Sequence, residues 1–150
     1  MPSSSRTLMI KMNINHKDIL KYRKNVTSQY GEDGVIEFLS HLLGDNLHKN
    51  CLEVGAGDGE TFSNVFSLWK TKNWNAVLVE SDKTRYERCL SLVMQYSNVF
   101  PVNKSIAQEG SNSIEQIADG CGVDLNNGLI VIDIYSNKLR LRILESESCH

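Results

Sequence analysis

The sequence predicts an α/β fold in which helices cover both faces of a mostly parallel, doubly wound β-sheet. Short apolar runs typical of buried strands alternate with longer segments in which apolar residues recur at helical spacing. This alternation implies right-handed β-α-β units, because parallel neighbours need a crossover connection. Polar residues follow the ends of the apolar runs, where a doubly wound sheet binds its ligands. The pattern therefore predicts both the fold class and the edge of the sheet that carries function.

The predicted elements follow one another regularly. Strands are expected at 51–55, 76–79, 99–102 and 129–132, and helices at 32–43, 61–70, 83–95 and 111–118. Gly44 is a plausible stop for the first helix, and Ser111 or Ser113 is expected to cap the last one. Pro101 cannot donate to a strand ladder, so the third strand is predicted at a sheet edge.

The composition fits one globular domain. The 150 residues are 41% hydrophobic and 23% charged, with a formal net charge of −2, which gives no electrostatic footprint for nucleic acid. No apolar run approaches the ~20 residues that span a bilayer, and no signal-peptide core is present at the start. The four cysteines form no CxxC pair, so neither a zinc site nor a disulfide framework is expected. We expect a cytoplasmic protein with an N-terminal extension at 1–27, where 8–14 fits a short strand, and a domain at 28–150.

The stretch CLEVGAGDGE, residues 51–60, is the most informative part of the chain. It has the pattern of a strand that breaks into a glycine-rich turn and restarts as a helix. Glycine permits backbone angles closed to other residues and lets a ligand approach the main chain. A helix that starts directly after the turn would aim free N–H groups and its positive dipole end at that ligand. The stretch therefore predicts a site for a small polar ligand.

Acidic residues narrow the identity of this ligand. A dinucleotide site uses G-x-G-x-x-G, whereas this turn is G-A-G-D-G preceded by Glu53. Glu53 and Asp58 would repel a pyrophosphate and suit a ligand with an amino group and a sulfonium. Glu80 ends the second strand and fits a carboxylate that accepts hydrogen bonds from two ribose hydroxyls, which NAD sites and S-adenosylmethionine sites share. The acidic turn, more than Glu80, favours S-adenosylmethionine.

These motifs resemble a known family. E-x-G-x-G-x-G after a strand, with an acid ending the next strand, resembles the class I S-adenosylmethionine-dependent methyltransferases, whose fold is Rossmann-like. SQYGED, LEVGAGDGETFSN, VLVESD and VIDI, in this order over about residues 28–137, resemble more narrowly the FkbM-type methyltransferases. The cofactor-binding residues that the resemblance implies are Gln29, Glu32, Glu53, Gly55, Ala56, Gly57, Asp58, Glu80 and Ser81.

The resemblance also implies a role for each group of residues. The turn 55–57 would lie against the methionine and ribose part of the cofactor, and Glu53 would orient its amino end directly or through water. Glu80 would hold the ribose with Ser81 beside the adenine, while Gln29 and Glu32 would close over the cofactor from the upstream turn. A structural role is the alternative in several cases. Glu53 would then cap backbone N–H groups, Asp58 would stabilise its turn, and Gln29 and Glu32 would only begin a helix.

The implied activity is methyl transfer to a hydroxyl of a small molecule or sugar. Such transfer needs alignment of the acceptor and is helped by a general base. Asp133, which ends the fourth strand, is the candidate base, and a structural strand-end carboxylate is the alternative. The family pattern IDIDGND is here IDIYSN, with Tyr135 and Ser136 at two altered positions. A cofactor-binding domain without turnover is therefore the second hypothesis, and a nucleotide-dependent oxidoreductase is a disfavoured third.

The predicted sheet is incomplete, with about four of the seven strands that the resemblance implies. The fourth strand, 129–132, would then be an exposed apolar edge, which natural sheets rarely leave bare. Residues 138–145 alternate apolar with basic residues and fit a strand or a poor helix. We expect a truncated member of the family, or one that completes its sheet by self-association through the fourth strand.

Overall fold

The computed structural model describes residues 19–133 and the backbone of residues 140–143. The helices are α1 Glu32–Leu43, α2 Phe66–Thr71, α3 Lys83–Val93 and α4 Ile114–Gly120. The strands are β1 Asn50–Val54, β2 Asn75–Val79, β3 Val99–Val102, β4 Leu129–Ile132 and β5 Arg140–Ile143. Single 3-10 turns occur at Leu20–Tyr22, Gly44–Asn46 and Gly110–Asn112. The strand expected at residues 8–14 lies outside the described residues, as do Tyr135 and Ser136.

The strands form one sheet in the order β3-β2-β1-β4-β5. The pairs β3-β2, β2-β1 and β1-β4 are parallel, and β5 is antiparallel to β4. The strand order reverses between β1 and β4, which is the point where a doubly wound sheet opens a crevice. Pro101 lies on β3 at the end of the sheet, where no further strand needs its missing N–H. The α/β class, the mostly parallel sheet and the edge position of β3 are confirmed.

Two apolar layers cover the two faces of the sheet, because successive strand residues point to opposite sides. One layer joins the sheet to α1, α2 and α3 and contains Cys51, Leu78, Val131, Ile36, Leu68, Trp69, Cys89 and Val93. The other joins it to α4 and contains Leu52, Val77, Ile130, Ile117 and Ala118. Helices on both faces hold the carboxyl ends of the strands in fixed positions.

Helix termini agree with several of the sequence signals. The observed α1 has the predicted bounds, and the N–H of Gly44, at φ 51°, donates to the Ser40 carbonyl. Ser113 caps α4 by accepting a hydrogen bond from the N–H of Gln116.

None of the helices within the described residues is long and apolar enough to cross a membrane.

The helix after the glycine turn begins later than predicted. Residues 61–65 form turns, and α2 starts at Phe66 and ends at Thr71. Side chains bind the N–H groups that a helix would use, since Asp58 accepts from the N–H of Thr61 and Glu53 from that of Asn64. Phe62 has φ 59°, which is incompatible with a right-handed helix. The expectation that a helix dipole points at the turn is therefore wrong.

The fourth strand is not a sheet edge. Backbone pairing places Arg142 opposite Ile130 and Leu141 opposite Val131, so β5 covers the outer side of β4. Of the two structures considered for residues 138–145, the strand forms at Arg140–Ile143. The expected bare edge at 129–132 is thus wrong for this sheet, because β5 satisfies its hydrogen-bonding groups. Self-association stays a prediction.

Candidate functional site

A cleft of about 310 Å³ opens at the carboxyl ends of the strands, at the point where strand order reverses. Its lining comes from the ends of β1, β2 and β4, the start of α3 and the segment after β3: Val54, Gly55, Val79, Glu80, Ser81, Arg85, Lys104, Ser105, Ile106 and Asp133. Asn103 ties two of these segments together, because its side-chain amide donates to the Glu80 carbonyl at 2.8 Å and the Ser81 carbonyl at 3.2 Å. The volume lies at the small end of the range for ligand pockets.

Glu80 stands at the floor of this cleft. Its side chain is buried, with 5% of its surface exposed. One carboxylate oxygen accepts from the Gly57 N–H at 2.7 Å and the other from the Asp82 N–H at 2.8 Å. A carboxylate has about four acceptor positions, so each oxygen keeps capacity for a further donor. Glu80 therefore fixes the glycine turn and remains able to hold a ligand with two hydroxyls.

The glycine turn folds over the end of β2. The N–H groups of Gly55 and Ala56 both donate to the Val79 carbonyl, at 2.9 and 3.0 Å. Gly57 and Gly59 have φ values of 60° and 88°. A Cβ on Gly57 would meet no atom within 4 Å, whereas one on Gly59 would lie 3.0 Å from the Cys89 sulfur. Gly59 therefore packs the turn against α3, and Gly57 leaves its outer side open to a ligand.

Glu53 lies below the turn and outside the lining of the cleft. Its carboxylate accepts from the Ser63 hydroxyl at 2.8 Å, the Asn64 N–H at 2.8 Å and the Asn64 amide at 3.3 Å. Burial raises the pKa of Glu53 to about 7 against the lowering effect of these bonds, and Asp133 raises it further. These contacts are those of the structural alternative, in which Glu53 caps the turn that precedes α2.

Asp133 follows β4 and lines the cleft. Its N–H donates to the Val54 carbonyl at 2.9 Å, which continues the pairing of β1 with β4 by one residue. Burial raises the pKa of Asp133 above its ordinary value, and the nearby Glu32 carboxylate adds to this effect. Glu32, which is not part of the cleft lining, is thus close enough to Asp133 to interact with it.

Asp58 holds the turn together from outside the cleft. It accepts from the N–H of Glu60 at 3.0 Å and from the N–H and hydroxyl of Thr61, each at 2.7 Å. Partial burial acts to raise the pKa of Asp58, but the bonds from Thr61 and Glu60 outweigh it and lower the pKa. These contacts match the alternative role for this residue, in which Asp58 stabilises its turn.

The upstream turn forms a strap, residues 25–31, whose first half is held by hydrogen bonds to two other parts of the chain. One oxygen of the buried Asp33 accepts from three consecutive N–H groups, those of Val26, Thr27 and Ser28, at 2.8, 2.9 and 2.7 Å. The Thr27 hydroxyl donates to the Ser63 carbonyl at 2.8 Å, which joins the strap to the segment after the glycine turn.

The two predicted residues of the upstream turn differ in their surroundings. Gln29 is exposed, and its carbonyl accepts from the Asn25 amide at 3.4 Å. Glu32 is half-buried and accepts from the Tyr30 N–H at 2.7 Å. Of the two, Glu32 is the residue that interacts with the cleft, through Asp133.

Arg85 is a cleft residue that the sequence reasoning missed, whereas Lys104 belongs to a polar segment, 103–105, that the sequence places at this edge without giving it a role. Arg85 lies in the first turn of α3, where Asp82 caps the helix by accepting its N–H at 2.8 Å. Neither cation has an ion pair among the described residues. The sequence feature that could have identified Arg85 is its position five residues after Glu80. The first turn of a helix that follows directly on a strand lies at the carboxyl edge of the sheet, and here its Arg85 side chain lines the cleft.

The fold brings four of the predicted site residues together in the cleft: Gly55, Glu80, Ser81 and Asp133. Ala56, Gly57, Asp58 and Glu53 support the turn beside it, and Gln29 and Glu32 belong to the upstream segment. Within the described ranges, no three His, Cys, Asp or Glu side chains are grouped to hold a metal ion.

Fold and cleft together define an α/β protein with a cleft at the switch point of a Rossmann-like sheet. Comparison of the sequence with models of known protein families found no match, and comparison with curated proteins found none either.

Proposed function

We propose that this protein binds S-adenosylmethionine in the cleft and transfers its methyl group to a hydroxyl of a small molecule or sugar. The observation that carries the proposal is the position of Glu80, whose buried carboxylate ends β2 at the switch point and retains one acceptor position on each oxygen. Two adjacent ribose hydroxyls supply the matching pair of donors. The open outer side of Gly57 supports close approach of the cofactor to the main chain.

Two acids near the end of β4 also support this cofactor. Asp133 lines the cleft there, and Glu32 lies close enough to raise the pKa of Asp133. A cationic ligand next to these two acids is stabilised by Coulomb attraction. When bound, S-adenosylmethionine supplies a methyl group already activated on a sulfonium. The residues of the chain then have to orient the cofactor and the acceptor, exclude water and accept one proton.

Asp133 is the group proposed to accept that proton. A general base works best when its pKa lies near the working pH. Burial and Glu32 both shift the pKa of Asp133 in that direction. Asp133 would take the proton of the acceptor hydroxyl as that oxygen forms its bond to the methyl carbon.

A nucleotide-dependent oxidoreductase, the disfavoured third hypothesis, has one observation in its favour. Arg85 and Lys104 line the same cleft without an ion pair among the described residues, and cations of this kind bind phosphate groups. Asp133, which lines the same cleft, favours the methyltransferase. A cofactor-binding domain without turnover is a variant of the first proposal.

Calorimetric titration separates these candidates. The purified chain is titrated with S-adenosylmethionine, NAD and NADP at pH 7.5, and we expect heat of binding only with the first. Binding of NADP without S-adenosylmethionine would contradict the proposal in favour of the oxidoreductase. Release of S-adenosylhomocysteine with a panel of hydroxylated acceptors then distinguishes an enzyme from a domain that binds without turnover.

A further inference from the structure

A second groove, of about 690 Å³, lies at the start of α1. Among the described residues, its lining comes from segment 19–23, the end of the strap and the first turn of α1: Ile19, Leu20, Arg23, Tyr30, Gly31, Glu32 and Val35. The side chains of Leu20 and Tyr30 are 44% and 57% exposed. The groove therefore combines apolar and aromatic walls with one cation and one acid.

Close backbone packing fixes the walls of this groove. The N–H of Gly34 donates to the Lys24 carbonyl at 3.0 Å, and the N–H of Lys24 donates to the Gly31 carbonyl at 3.3 Å. A Cβ on Gly34 would clash with the Tyr22 carbonyl oxygen, and one on Gly31 would lie 2.6 Å from the Cβ of Arg23. The two glycines therefore let the chain that precedes the strap pack directly against α1, which fixes the two walls relative to each other.

The charged groups of the groove are available to a ligand. Arg23 is exposed and has no ion pair among the described residues. Glu32 is half-buried, and one oxygen of its carboxylate accepts from the Tyr30 N–H at 2.7 Å, so the other oxygen keeps its capacity for a donor. A guanidinium binds carboxylate or phosphate groups through two parallel hydrogen bonds. The groove can thus hold an anionic group at Arg23 and a hydroxyl at Glu32.

Glu32 connects this groove to the cleft. It lines the groove, and it lies close enough to Asp133, which lines the cleft, to raise the pKa of Asp133. The strap, which carries Tyr30, also reaches the segment after the glycine turn through the bond from Thr27 to Ser63 at 2.8 Å. The groove and the cleft are therefore neighbours on the side of the candidate base.

We propose that this groove holds the methyl acceptor, and that the acceptor is a hydroxylated ring compound with an anionic group, a carboxylate or a phosphate. This inference rests on the proposed function for the cofactor in the cleft. The cleft, at about 310 Å³, has the volume of a site for one ligand, so an acceptor needs space beside it.

The groove orients such an acceptor by three contacts. The anionic group binds Arg23, the ring stacks on the exposed face of Tyr30, and the hydroxyl lies past Glu32 next to Asp133. The hydroxyl proton goes to Asp133 as the hydroxyl oxygen bonds to the methyl carbon and the carbon–sulfur bond breaks.

The test measures binding of three probes to the whole chain by equilibrium dialysis at pH 7.5: 4-hydroxybenzoate, 4-hydroxyphenyl phosphate and the uncharged 4-hydroxybenzamide. The probes share a ring and a hydroxyl and differ in charge. Arg23→Gln removes the cation and keeps the Cβ and Cγ that pack near Gly31, and Tyr30→Ala removes the ring. Arg88→Gln is the matched control, because Arg88 is an exposed arginine outside the linings of the groove and the cleft.

We expect the parent to bind at least one anionic probe about tenfold more tightly than the benzamide, and the tighter of the two identifies the anionic group. Arg23→Gln should bind all three probes about equally, whereas Arg88→Gln should keep the preference of the parent. Tyr30→Ala should weaken the binding of all three by about threefold to tenfold and keep the preference. Because the preference is a ratio measured on one protein, partial unfolding of a variant does not imitate its loss.

A second measurement locates the groove relative to the cofactor. With S-adenosylmethionine and the tighter anionic probe both bound to the parent, we expect a nuclear Overhauser effect between the ring protons of the probe and the methyl protons on the sulfonium. Arg88→Gln should give the same effect.

Any of four results would overturn the inference. These are a parent without preference for an anionic probe, a preference that survives in Arg23→Gln or is lost equally in Arg88→Gln, unchanged binding by Tyr30→Ala, and the absence of the Overhauser effect when both ligands are bound. Failure of the proposed function is seen separately, as absence of S-adenosylmethionine binding to the parent in calorimetry. The dialysis needs no cofactor, so it still judges the groove in that case.

Discussion

Replacement of Glu53 by glutamine should remove a pH dependence that one buried carboxyl imposes on the stability of the fold. Glutamine has the same shape, and its carbonyl can still accept from the Asn64 N–H that now donates to Glu53 at 2.8 Å. The Ser63 hydroxyl already accepts from the N–H groups of Val65 and Phe66 at 3.3 and 3.2 Å, so it accepts from the new amide in place of one of these long bonds. The exchange leaves the surrounding turn with at most one hydrogen bond fewer. The variant should therefore fold, which makes a direct comparison with the parent meaningful.

The size of the effect follows from the pKa of Glu53, which burial raises from 4.5 to about 7 in the folded chain. Between these pH values the folded state keeps a proton that the unfolded state has lost, so the stability of the parent falls as the pH rises. At about 1.4 kcal/mol for each pKa unit, this carboxyl lowers the free energy of unfolding by roughly 3 kcal/mol between pH 4.5 and pH 8. Glutamine does not titrate and loses nothing over this interval.

Urea unfolding of the parent and Glu53→Gln at pH 5, 6, 7 and 8 measures the difference. We expect the free energy of unfolding of the parent to fall relative to the variant by about 2.5 kcal/mol from pH 5 to pH 8. Burial also raises the pKa of Asp133, but that residue is present in both proteins, so most of its effect cancels. A difference between parent and variant that stays constant from pH 5 to pH 8 would refute the reasoning about Glu53.

Two further predictions concern the turn and the base. Gly59→Ala should lower the free energy of unfolding by about 2–4 kcal/mol, because its Cβ meets the Cys89 sulfur at 3.0 Å and its φ is 88°. Gly57→Ala, with open space at its Cβ, should cost only about 1 kcal/mol in urea unfolding, and equal costs would show that the packing argument is wrong. Asp133→Asn should slow release of S-adenosylhomocysteine by about 10²–10⁴-fold. Its affinity for S-adenosylmethionine should fall by only about fivefold, through loss of one of the two acids that attract the sulfonium. Unchanged turnover would leave Asp133 with a structural role.

The sequence predicted the elements whose limits are set by local chemistry. The bounds of α1, β3 and β4 agree with the structure, because apolar spacing defines their interiors and residues such as Gly44 end them. The sequence also predicted correctly that Gly55, Glu80, Ser81 and Asp133 lie at one edge of the sheet, where they line one cleft. Parallel strands place their carboxyl ends together whatever their side chains are, which is why this inference was available.

The failures have long-range causes. The start of α2 depends on Glu53 accepting from Ser63 and Asn64, residues ten and eleven positions later in the chain, and helical periodicity contains no sign of such bonds. The pairing of β5 with β4 joins segments whose alternating pattern also fits a helix. In both cases a tertiary contact decided between local structures that the residues alone left open.

The proposed function depends on Glu80 as the residue that holds the ribose of S-adenosylmethionine. Calorimetric titration of the parent, Glu80→Ala and Glu60→Ala tests it most directly, since Glu60 is an exposed acid beside the same turn whose side chain lies outside the lining of the cleft. Thermal unfolding of each variant checks that the turn anchored by Glu80 remains folded. Loss of charge-assisted hydrogen bonds worth about 1.5–3 kcal/mol predicts a Kd about 10- to 100-fold higher for Glu80→Ala and an unchanged Kd for Glu60→Ala. A folded Glu80→Ala variant that binds S-adenosylmethionine as tightly as the parent would contradict the account.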